Sequence, residues 1–247
     1  MGGKIDFYYD IASWFSYVGF ADLFANLETL AAHGVEVEFH PVALGAIMKA
    51  AGNAPPMMVP RKGEHLSIDG ARTAARVGKS NMRFPPNFFS RSKTIIPQRA
   101  LHYIKRHYPA ETYVTALHYL LDSFFTPPHP NVSKADELAT VLAECPRGFA
   151  GSGRDYSREP RLFSAEDVRK IMEGIETEEI KDALKKTTEV ALEKRAFGAP
   201  WLVVRNGDGV EEVFFGSDRF GFVYKHLGLP YRDVELLPPG SKEGSKL

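Results

Sequence analysis

The pattern of hydrophobic and polar positions places strands at both ends of the chain and helices between them. Residues 4–9 alternate in hydrophobicity, which is typical of a strand with one buried face. Residues 13–32 repeat with helical period and lead to Gly34, a common residue at helix ends, and residues 35–40 alternate again. Strand, helix and strand in this order predict a βαβ unit with parallel strands and a right-handed crossover.

Proline-rich positions then separate a series of segments with helical period. The predicted helices cover residues 98–107, 110–125, 133–144, 164–175 and 177–195. Two of them carry a helix-start signal, Ser133-x-x-Asp136 and Ser164-x-x-Asp167, in which the serine caps the first turn. Residues 146–160 are rich in glycine and charge, and they predict an exposed loop that lies away from the chemistry.

Strand character returns near the C-terminal end of the chain. Residues 201–204 and 210–215 are strand-like, and Asn206-Gly207-Asp208-Gly209 between them predicts a hairpin turn. Residues 216–219 open a last predicted helix, which extends to about Leu227.

A βαβ unit, a helical block and a ββα unit predict an α/β fold of thioredoxin type with a large all-helical insertion. The predicted boundaries assign residues 1–43 and 190–232 to the thioredoxin-like domain and residues 44–189 to the insertion. Residues 233–247 predict a disordered tail because of their composition.

The amino-acid composition limits the kinds of molecule that we expect the protein to bind. The 247 residues include 31 basic and 31 acidic ones, so net charge provides no general attraction to nucleic acid or to anionic membranes. No apolar run approaches about 18 residues, and we therefore expect no membrane insertion. The single cysteine, Cys145, excludes an internal disulfide bond. No spacing of ligand side chains predicts a metal site, and we expect His102 and His118 to be structural.

The serine pair Ser13-x-x-Ser16 stands where a strand turns into a helix. In redox proteins of thioredoxin type a Cys-x-x-Cys pair occupies this position, so the serines argue against a thiol–disulfide oxidoreductase. A serine here could also simply cap the helix. The segment Phe197-Gly198-Ala199-Pro200 favours a functional interpretation, because an X–Pro pair with a cis bond faces that helix in thioredoxin-like folds and offers its backbone to an extended peptide. Together the two features predict a site for a peptide thiol.

Longer motifs carry a resemblance to a known family. They are Phe7-Tyr8-Tyr9-Asp10 followed by Ser13-x-x-Ser16, His40-Pro41-Val42, residues 45–56, Pro60-Arg61-Lys62-Gly63, Phe197-Gly198-Ala199-Pro200 and Phe215-Gly216-Ser217-Asp218-Arg219. In this order the chain resembles the kappa-class glutathione transferases and the related 2-hydroxychromene-2-carboxylate isomerases. It departs from that family in the loop 146–160 and at Trp14, where a proline is usual. The tryptophan alters the wall beside the nucleophile and bears on acceptor specificity.

The resemblance implies that glutathione is a co-substrate and that no cofactor is bound permanently. Ser13 then donates a hydrogen bond to the glutathione sulfur, and Ser16 has a smaller part. A free thiol has a pKa near 8.5, and a hydroxyl at the positive end of a helix favours the reactive thiolate.

The remaining contacts with glutathione are also implied by the resemblance. Asn53 holds the peptide backbone, and Lys62, with Arg61 as competitor, binds the glycyl carboxylate. Ala199 and Pro200 contact the cysteinyl unit. Ser217 and Asp218 bind the γ-glutamyl end, and Asp69 assists from a dimer partner. Simpler interpretations stay open, namely an Asx turn at Asn53, a solvated side chain at Lys62, and helix capping at Ser217 and Asp218.

The implied function is a kappa-type glutathione transferase that activates the thiol for attack on small electrophiles, and peroxidase activity is compatible with it. A glutathione-dependent isomerase of 2-hydroxychromene-2-carboxylate type stays open, because the variable helical block builds the acceptor pocket. A non-catalytic module that binds glutathione or a peptide is an alternative of another class.

We also expect a homodimer like that of the relatives, with Met57-Met58-Val59 as an apolar contact.

The last three residues, Ser245, Lys246 and Leu247, match the tripeptide address for peroxisomes. The polar tail after residues 238–240 (Pro-Pro-Gly) would leave this tripeptide accessible. We therefore expect the peroxisomal import receptor as a partner and a peroxisomal location, or otherwise a cytoplasmic one.

Overall fold

The fold is built on a four-stranded sheet whose strands come from both ends of the chain. The structure, a computed structural model, describes residues 2–232. In chain order its elements are β1 Gly3–Tyr9, α1 Trp14–Ala32, β2 Val35–Pro41, α2 Leu44–Ala50, α3 Pro60–Arg76, α4 Phe88–Arg91, α5 Ile95–His107, α6 Ala110–Phe125, α7 Ala135–Glu144, α8 Ala165–Gly174, α9 Glu178–Glu193, β3 Trp201–Asn206, β4 Glu211–Phe215 and α10 Phe220–His226, with a 3₁₀ turn at Pro56–Met58. None of the helices in this part of the chain has the length and apolar character needed to cross a bilayer.

The strands lie in the order β2-β1-β3-β4. β1 pairs in parallel with β2, and β3 pairs antiparallel with both β1 and β4. The parallel pair confirms the predicted βαβ unit, and the β3–β4 pair confirms the predicted hairpin. Because Tyr8 lies opposite Trp201, the end of β1 lies beside the start of β3. This register brings the segment after β1, with Ser13, and the segment before β3, with Ala199-Pro200, to the same end of the sheet.

Helices cover both faces of the sheet. On one face Phe7 packs with Phe20 of α1, in a core that continues into the inserted helices. On the other face Tyr8 packs with Ile47 of α2 and Ala191 of α9. The alternation of β1 thus buries side chains on both sides, and these layers confirm the α/β fold of thioredoxin type.

The insertion also contains α3, which the hydrophobic pattern did not predict. The helix begins with Pro60 at its first position, where the missing N–H would have had no partner in the helix. It buries Leu66, Gly70 and Ala74, one residue per turn. Interior glycines lower intrinsic helix propensity, so packing against the rest of the protein stabilises α3. The regular spacing of these three small or apolar residues was the feature of the sequence that could have predicted the helix.

The two predicted helix-start signals have different outcomes. Ser164 and Asp167 form the predicted capping box, with the Asp167 N–H donating to the Ser164 Oγ at 3.1 Å. The prediction for Ser133 is wrong, because Lys134 occupies the N-cap of α7. The Ser133 hydroxyl donates instead to the Asn131 Oδ1 at 2.7 Å, a nearer acceptor.

The loop over residues 146–160 is exposed at most of its positions, as predicted, but its first half also makes buried contacts. Phe149 is buried, and the Ser152 hydroxyl donates to the Asp122 Oδ1 at 3.0 Å. The same carboxylate, on α6, accepts from the Tyr17 hydroxyl at 2.6 Å. A buried carboxylate needs donors, and the loop supplies one of them by folding over Asp122.

The predicted division into a thioredoxin-like domain and an insertion has its second boundary at residue 190. That boundary falls inside α9, which is continuous over Glu178–Glu193. The division therefore stays a prediction. The predicted tail 233–247, with the tripeptide Ser245-Lys246-Leu247, lies outside the described residues.

Candidate functional site

The turn between β1 and α1 is organised by the carboxylate of Asp10, which is 2% exposed. Its Oδ1 accepts hydrogen bonds from the Ala12 N–H at 2.9 Å and the Thr94 hydroxyl at 2.7 Å. Its Oδ2 accepts from the Leu44 N–H at 3.0 Å. Burial raises the pKa of Asp10, and these hydrogen bonds oppose the rise. Asp10 thereby ties the turn that carries Ser13 to the first residue of α2 and to the start of α5.

Ser13 is the N-cap residue of α1 and is largely buried. Its hydroxyl accepts from the Ser16 N–H at 3.1 Å and donates to the Ala199 carbonyl at 2.8 Å. Helix capping and the predicted contact with residues 197–200 therefore occur together. Ser16 is fully buried, and its Oγ has no hydrogen-bond partner among residues 2–232.

Residues 197–200 pass the start of α1 because β3 begins beside the end of β1. The Ala199–Pro200 peptide bond is cis, as predicted. The Asn53 amide donates to the Phe197 carbonyl at 2.8 Å. The Gly216 N–H donates to the Pro200 carbonyl at 3.1 Å. Predicted site residues from distant parts of the chain thus meet around one short segment.

Ser217 and Asp218 continue the chain from the Gly216 contact. Ser217 is buried, whereas Asp218 is exposed and pairs with Arg219. The predicted helix start is wrong by a few residues, because α10 begins at Phe220 and its N-cap forms no side-chain hydrogen bond. The positive φ of Gly216 (98°) makes a turn before the helix. Neither Ser217 nor Asp218 therefore caps α10.

Arg61, Lys62 and Asp69 all lie on α3. Arg61 is exposed and pairs with Glu64 at 2.9 Å. Lys62 is exposed and forms no ion pair with residues 2–232, which leaves its charge available, and Asp69 is half-buried. Within the described chain no hydrogen bond or ion pair joins these three side chains to Ser13 or residues 197–200, so their roles stay predictions.

Trp14 joins α3 to the start of α1. Its indole N–H donates to the Gly70 carbonyl at 3.2 Å, and its ring stacks on Phe84 with 4.7 Å between centroids. A Cβ at position 70 would lie 3.3 Å from the indole, so Gly70 permits this close approach. The buried indole holds the two helices together, and its expected effect on acceptor specificity stays a prediction.

The other candidate chemical groups lie apart from this arrangement. Cys145 is buried, and burial raises the pKa of its thiol. Burial lowers the pKa of His102 to about 4 and that of His118 to about 3, which fits structural, neutral imidazoles. The His102 Nε2 lies 3.0 Å from the Pro41 carbonyl.

One group of side chains on the sheet has the composition of a metal site. Ligand atoms of Asp6, Glu38 and His40 lie within 4.8 Å of one another. Lys4 lies 3.0 Å from Asp6, and Lys105 lies 2.7 Å from Glu38. These ammonium groups already compensate the carboxylates, so an ion-pair network accounts for the group without a metal ion.

Two residues near the site were not predicted. Asp10 belongs to the motif Phe7-Tyr8-Tyr9-Asp10, but the sequence predicted no role for it. Arg76 lies in the last turn of α3, and its guanidinium pairs with Asp22 at 2.6 Å. No local pattern marks Arg76, because α3 itself was not predicted.

Comparison with known proteins agrees with this geometry. The model of the DsbA-like thioredoxin domain family matches residues 4–128, half of the chain, and the chain belongs to that family. The chain is similar to glutathione S-transferase kappa 1 of Caenorhabditis elegans, with 29% identity over 92% of this chain and 92% of the relative. Glutathione S-transferase kappa 1 of Homo sapiens is 27% identical over 91% and 90%.

A solved structure of 2-hydroxychromene-2-carboxylate isomerase shares the fold. Its TM-score is 0.64 at 18% identity, over 91% of this chain and 94% of that chain. The resemblance predicted from the motifs is thus confirmed by the kappa relatives, and the isomerase structure shows the same fold.

Proposed function

We propose that this protein is a glutathione transferase of the kappa type in which Ser13 activates the glutathione thiol. The observation that carries the proposal is the 2.8 Å hydrogen bond from the Ser13 hydroxyl to the Ala199 carbonyl. Through this bond a hydroxyl donor at the first turn of α1 lies in contact with residues 197–200, the segment along which a peptide could bind. Similarity to the kappa relatives over more than nine tenths of the chain supports glutathione as the thiol.

In this proposal glutathione lies extended along residues 197–200. The cysteinyl N–H donates to the Ala199 carbonyl, and the Ser13 hydroxyl turns from that carbonyl to the sulfur. Lys62 pairs with the glycyl carboxylate, while Ser217 and Asp218 hold the γ-glutamyl end. The Asn53 amide is already engaged by the Phe197 carbonyl, so Asn53 acts by positioning residues 197–200.

Ionisation of the thiol is the step that the protein favours. The free N–H groups at the start of α1 and the Ser13 hydroxyl stabilise a negative sulfur. With an aryl halide as acceptor, the carbon–sulfur bond forms as the halide ion leaves, and the thiol proton passes to solvent. The proposal requires no permanently bound cofactor.

A glutathione-dependent isomerase is the second candidate, because an isomerase shares the fold over most of the chain. The test is a panel of aryl halides, hydroperoxides and hydroxychromene carboxylates, assayed with and without glutathione. Conjugates with the aryl halides support the transferase, and oxidation of glutathione by hydroperoxides adds peroxidase activity. Isomerisation of the hydroxychromene without consumption of glutathione supports the isomerase. Glutathione binding without turnover of any compound in the panel would indicate a non-catalytic module that binds glutathione.

We also propose that the protein is a homodimer. Met58 and Val59 are exposed apolar side chains at the end of the 3₁₀ turn, directly before α3, and Met58 is 64% exposed. Such side chains are often covered by a partner. Sedimentation at micromolar protein should show twice the 27.5 kDa mass of one chain, and a single monomeric species would contradict the proposal.

A peroxisomal location is proposed from Ser245, Lys246 and Leu247 alone. A fluorescent protein fused to the N-terminus should direct the chain to peroxisomes, through the import receptor. The matched control lacks Leu247 and should be cytosolic. Diffuse cytosolic fluorescence from the intact fusion would refute the location.

A further inference from the structure

We propose that Arg76 is a positioning residue for the γ-glutamyl end of the site, acting through the turn 216–219. The inference rests on the proposed function, because it concerns how Ser217 and Asp218 are presented to glutathione. Arg76 belongs to the inserted helix α3, whereas the turn belongs to the C-terminal part of the chain between β4 and α10.

The Arg76 guanidinium connects three segments of the protein. Its Nη1 and Nη2 donate to the two carboxylate oxygens of Asp22, on α1, at 2.9 and 2.6 Å. The same Nη2 lies 3.5 Å from the Ser217 carbonyl, a longer contact. A planar guanidinium held by two parallel hydrogen bonds has a fixed orientation. Asp22 therefore orients the Arg76 guanidinium toward the turn 216–219.

Few hydrogen bonds other than the Arg76 contact restrain the turn, although Ser217 itself is buried. Gly216 adopts a positive φ of 98° and is joined to the Pro200 carbonyl by one backbone hydrogen bond of 3.1 Å. Asp218 is exposed, and α10 begins without a side-chain cap. The Arg76 contact is thus the side-chain contact from another element that holds the Ser217 backbone within residues 2–232.

The charges near Arg76 fit a positioning role. Hydrogen bonds donated to Asp22 hold the pKa of Arg76 above its usual value against the effect of burial, and the charges of Asp22 and Asp218 add to this. Arg76 therefore attracts the Asp218 carboxylate as well as the Ser217 carbonyl. Its charge is mainly compensated by Asp22, which argues against direct binding of a glutathione carboxylate.

The experiment compares Arg76→Gln with Arg72→Gln, a matched control on the same helix. Arg72 is exposed and has no ion pair within the described chain. Glutathione binding is measured by calorimetry, and turnover with 1-chloro-2,4-dinitrobenzene is measured with glutathione and with cysteinylglycine, which lacks the γ-glutamyl group. Arg76→Gln should raise the Kd and KM for glutathione about tenfold, with kcat changed less than about twofold. Turnover with cysteinylglycine should not change.

Two further variants separate positioning from direct contact and from unfolding. Arg76→Lys should recover only part of the affinity, because an ammonium cannot form the two-pronged contact. Asp22→Asn should also weaken glutathione binding, since it releases Arg76. Unchanged or tighter binding by Asp22→Asn would overturn the positioning role, and so would an Arg76→Gln variant that binds like Arg72→Gln. Equal losses with both thiols would indicate general unfolding and would also overturn it. If the unmodified protein binds no glutathione, the proposed function fails first and the inference fails with it.

Discussion

Replacement of Ser13 by alanine is expected to lower turnover with glutathione by roughly 10- to 100-fold while its affinity changes only a few fold. One hydroxyl hydrogen bond to a charged sulfur contributes about 1.5–3 kcal/mol, which corresponds to this factor. The pKa of bound glutathione should rise, because the thiolate loses a donor while the neutral thiol loses little. At neutral pH a smaller fraction of the bound thiol is then ionised.

The measurement is the thiolate absorbance of bound glutathione as a function of pH, together with turnover. Ser16→Ala is the matched control, since it makes the same substitution one turn further along α1 and should have a smaller effect. Ser13 also caps α1, so the alanine variant should lose about 1 kcal/mol of unfolding free energy. A titration and a turnover both equal to those of the unmodified protein would exclude Ser13 as the activating residue.

Replacement of Asp10 by alanine is expected to lower the free energy of unfolding by about 3 kcal/mol or more. The buried donors of Ala12 and Thr94 and the partly buried N–H of Leu44 would lose their acceptor. Each buried unsatisfied donor costs about 1–3 kcal/mol. Glutathione turnover should fall as well, because loss of these side-chain hydrogen bonds loosens the turn that carries Ser13.

Urea unfolding monitored by tryptophan fluorescence gives this free energy. Asp6→Ala, on β1 directly before this turn, is the matched control. Its carboxylate is partly exposed and paired with Lys4 and His40, so its removal should cost less than that of Asp10, about 1 kcal/mol. Asp10→Asn should be intermediate, because an amide cannot accept at both of its polar atoms. An Asp10→Ala protein as stable as the Asp6→Ala protein would contradict the assignment of Asp10 as the organiser of the turn.

The elements at the two ends of the chain could be predicted because their burial follows a local rule. β1 buries Ile5, Phe7 and Tyr9 completely, and the β3–β4 hairpin has its turn at Asn206, whose Oδ1 accepts from the Asp208 N–H at 3.0 Å. Period and turn chemistry are properties of neighbouring residues, so the sequence displays them directly. The helix α3 and the buried contacts of the loop 146–160 were not predicted, because both depend on contacts with distant residues.

Local patterns were sufficient to predict the strand–helix units, the serine pair at the start of α1 and the resemblance that assigned Asn53, Ala199 and Pro200 to one site. How those residues are held depends on the packing of the folded chain. Ser13 meets Ala199 across 186 positions, and Arg76 meets Ser217 across 141. Hydrogen bonds between such distant groups leave no periodic trace, because they depend on register and helix packing. The chemistry of the site is therefore visible in the motifs, whereas its rigidity comes from buried partners that only the folded chain brings together.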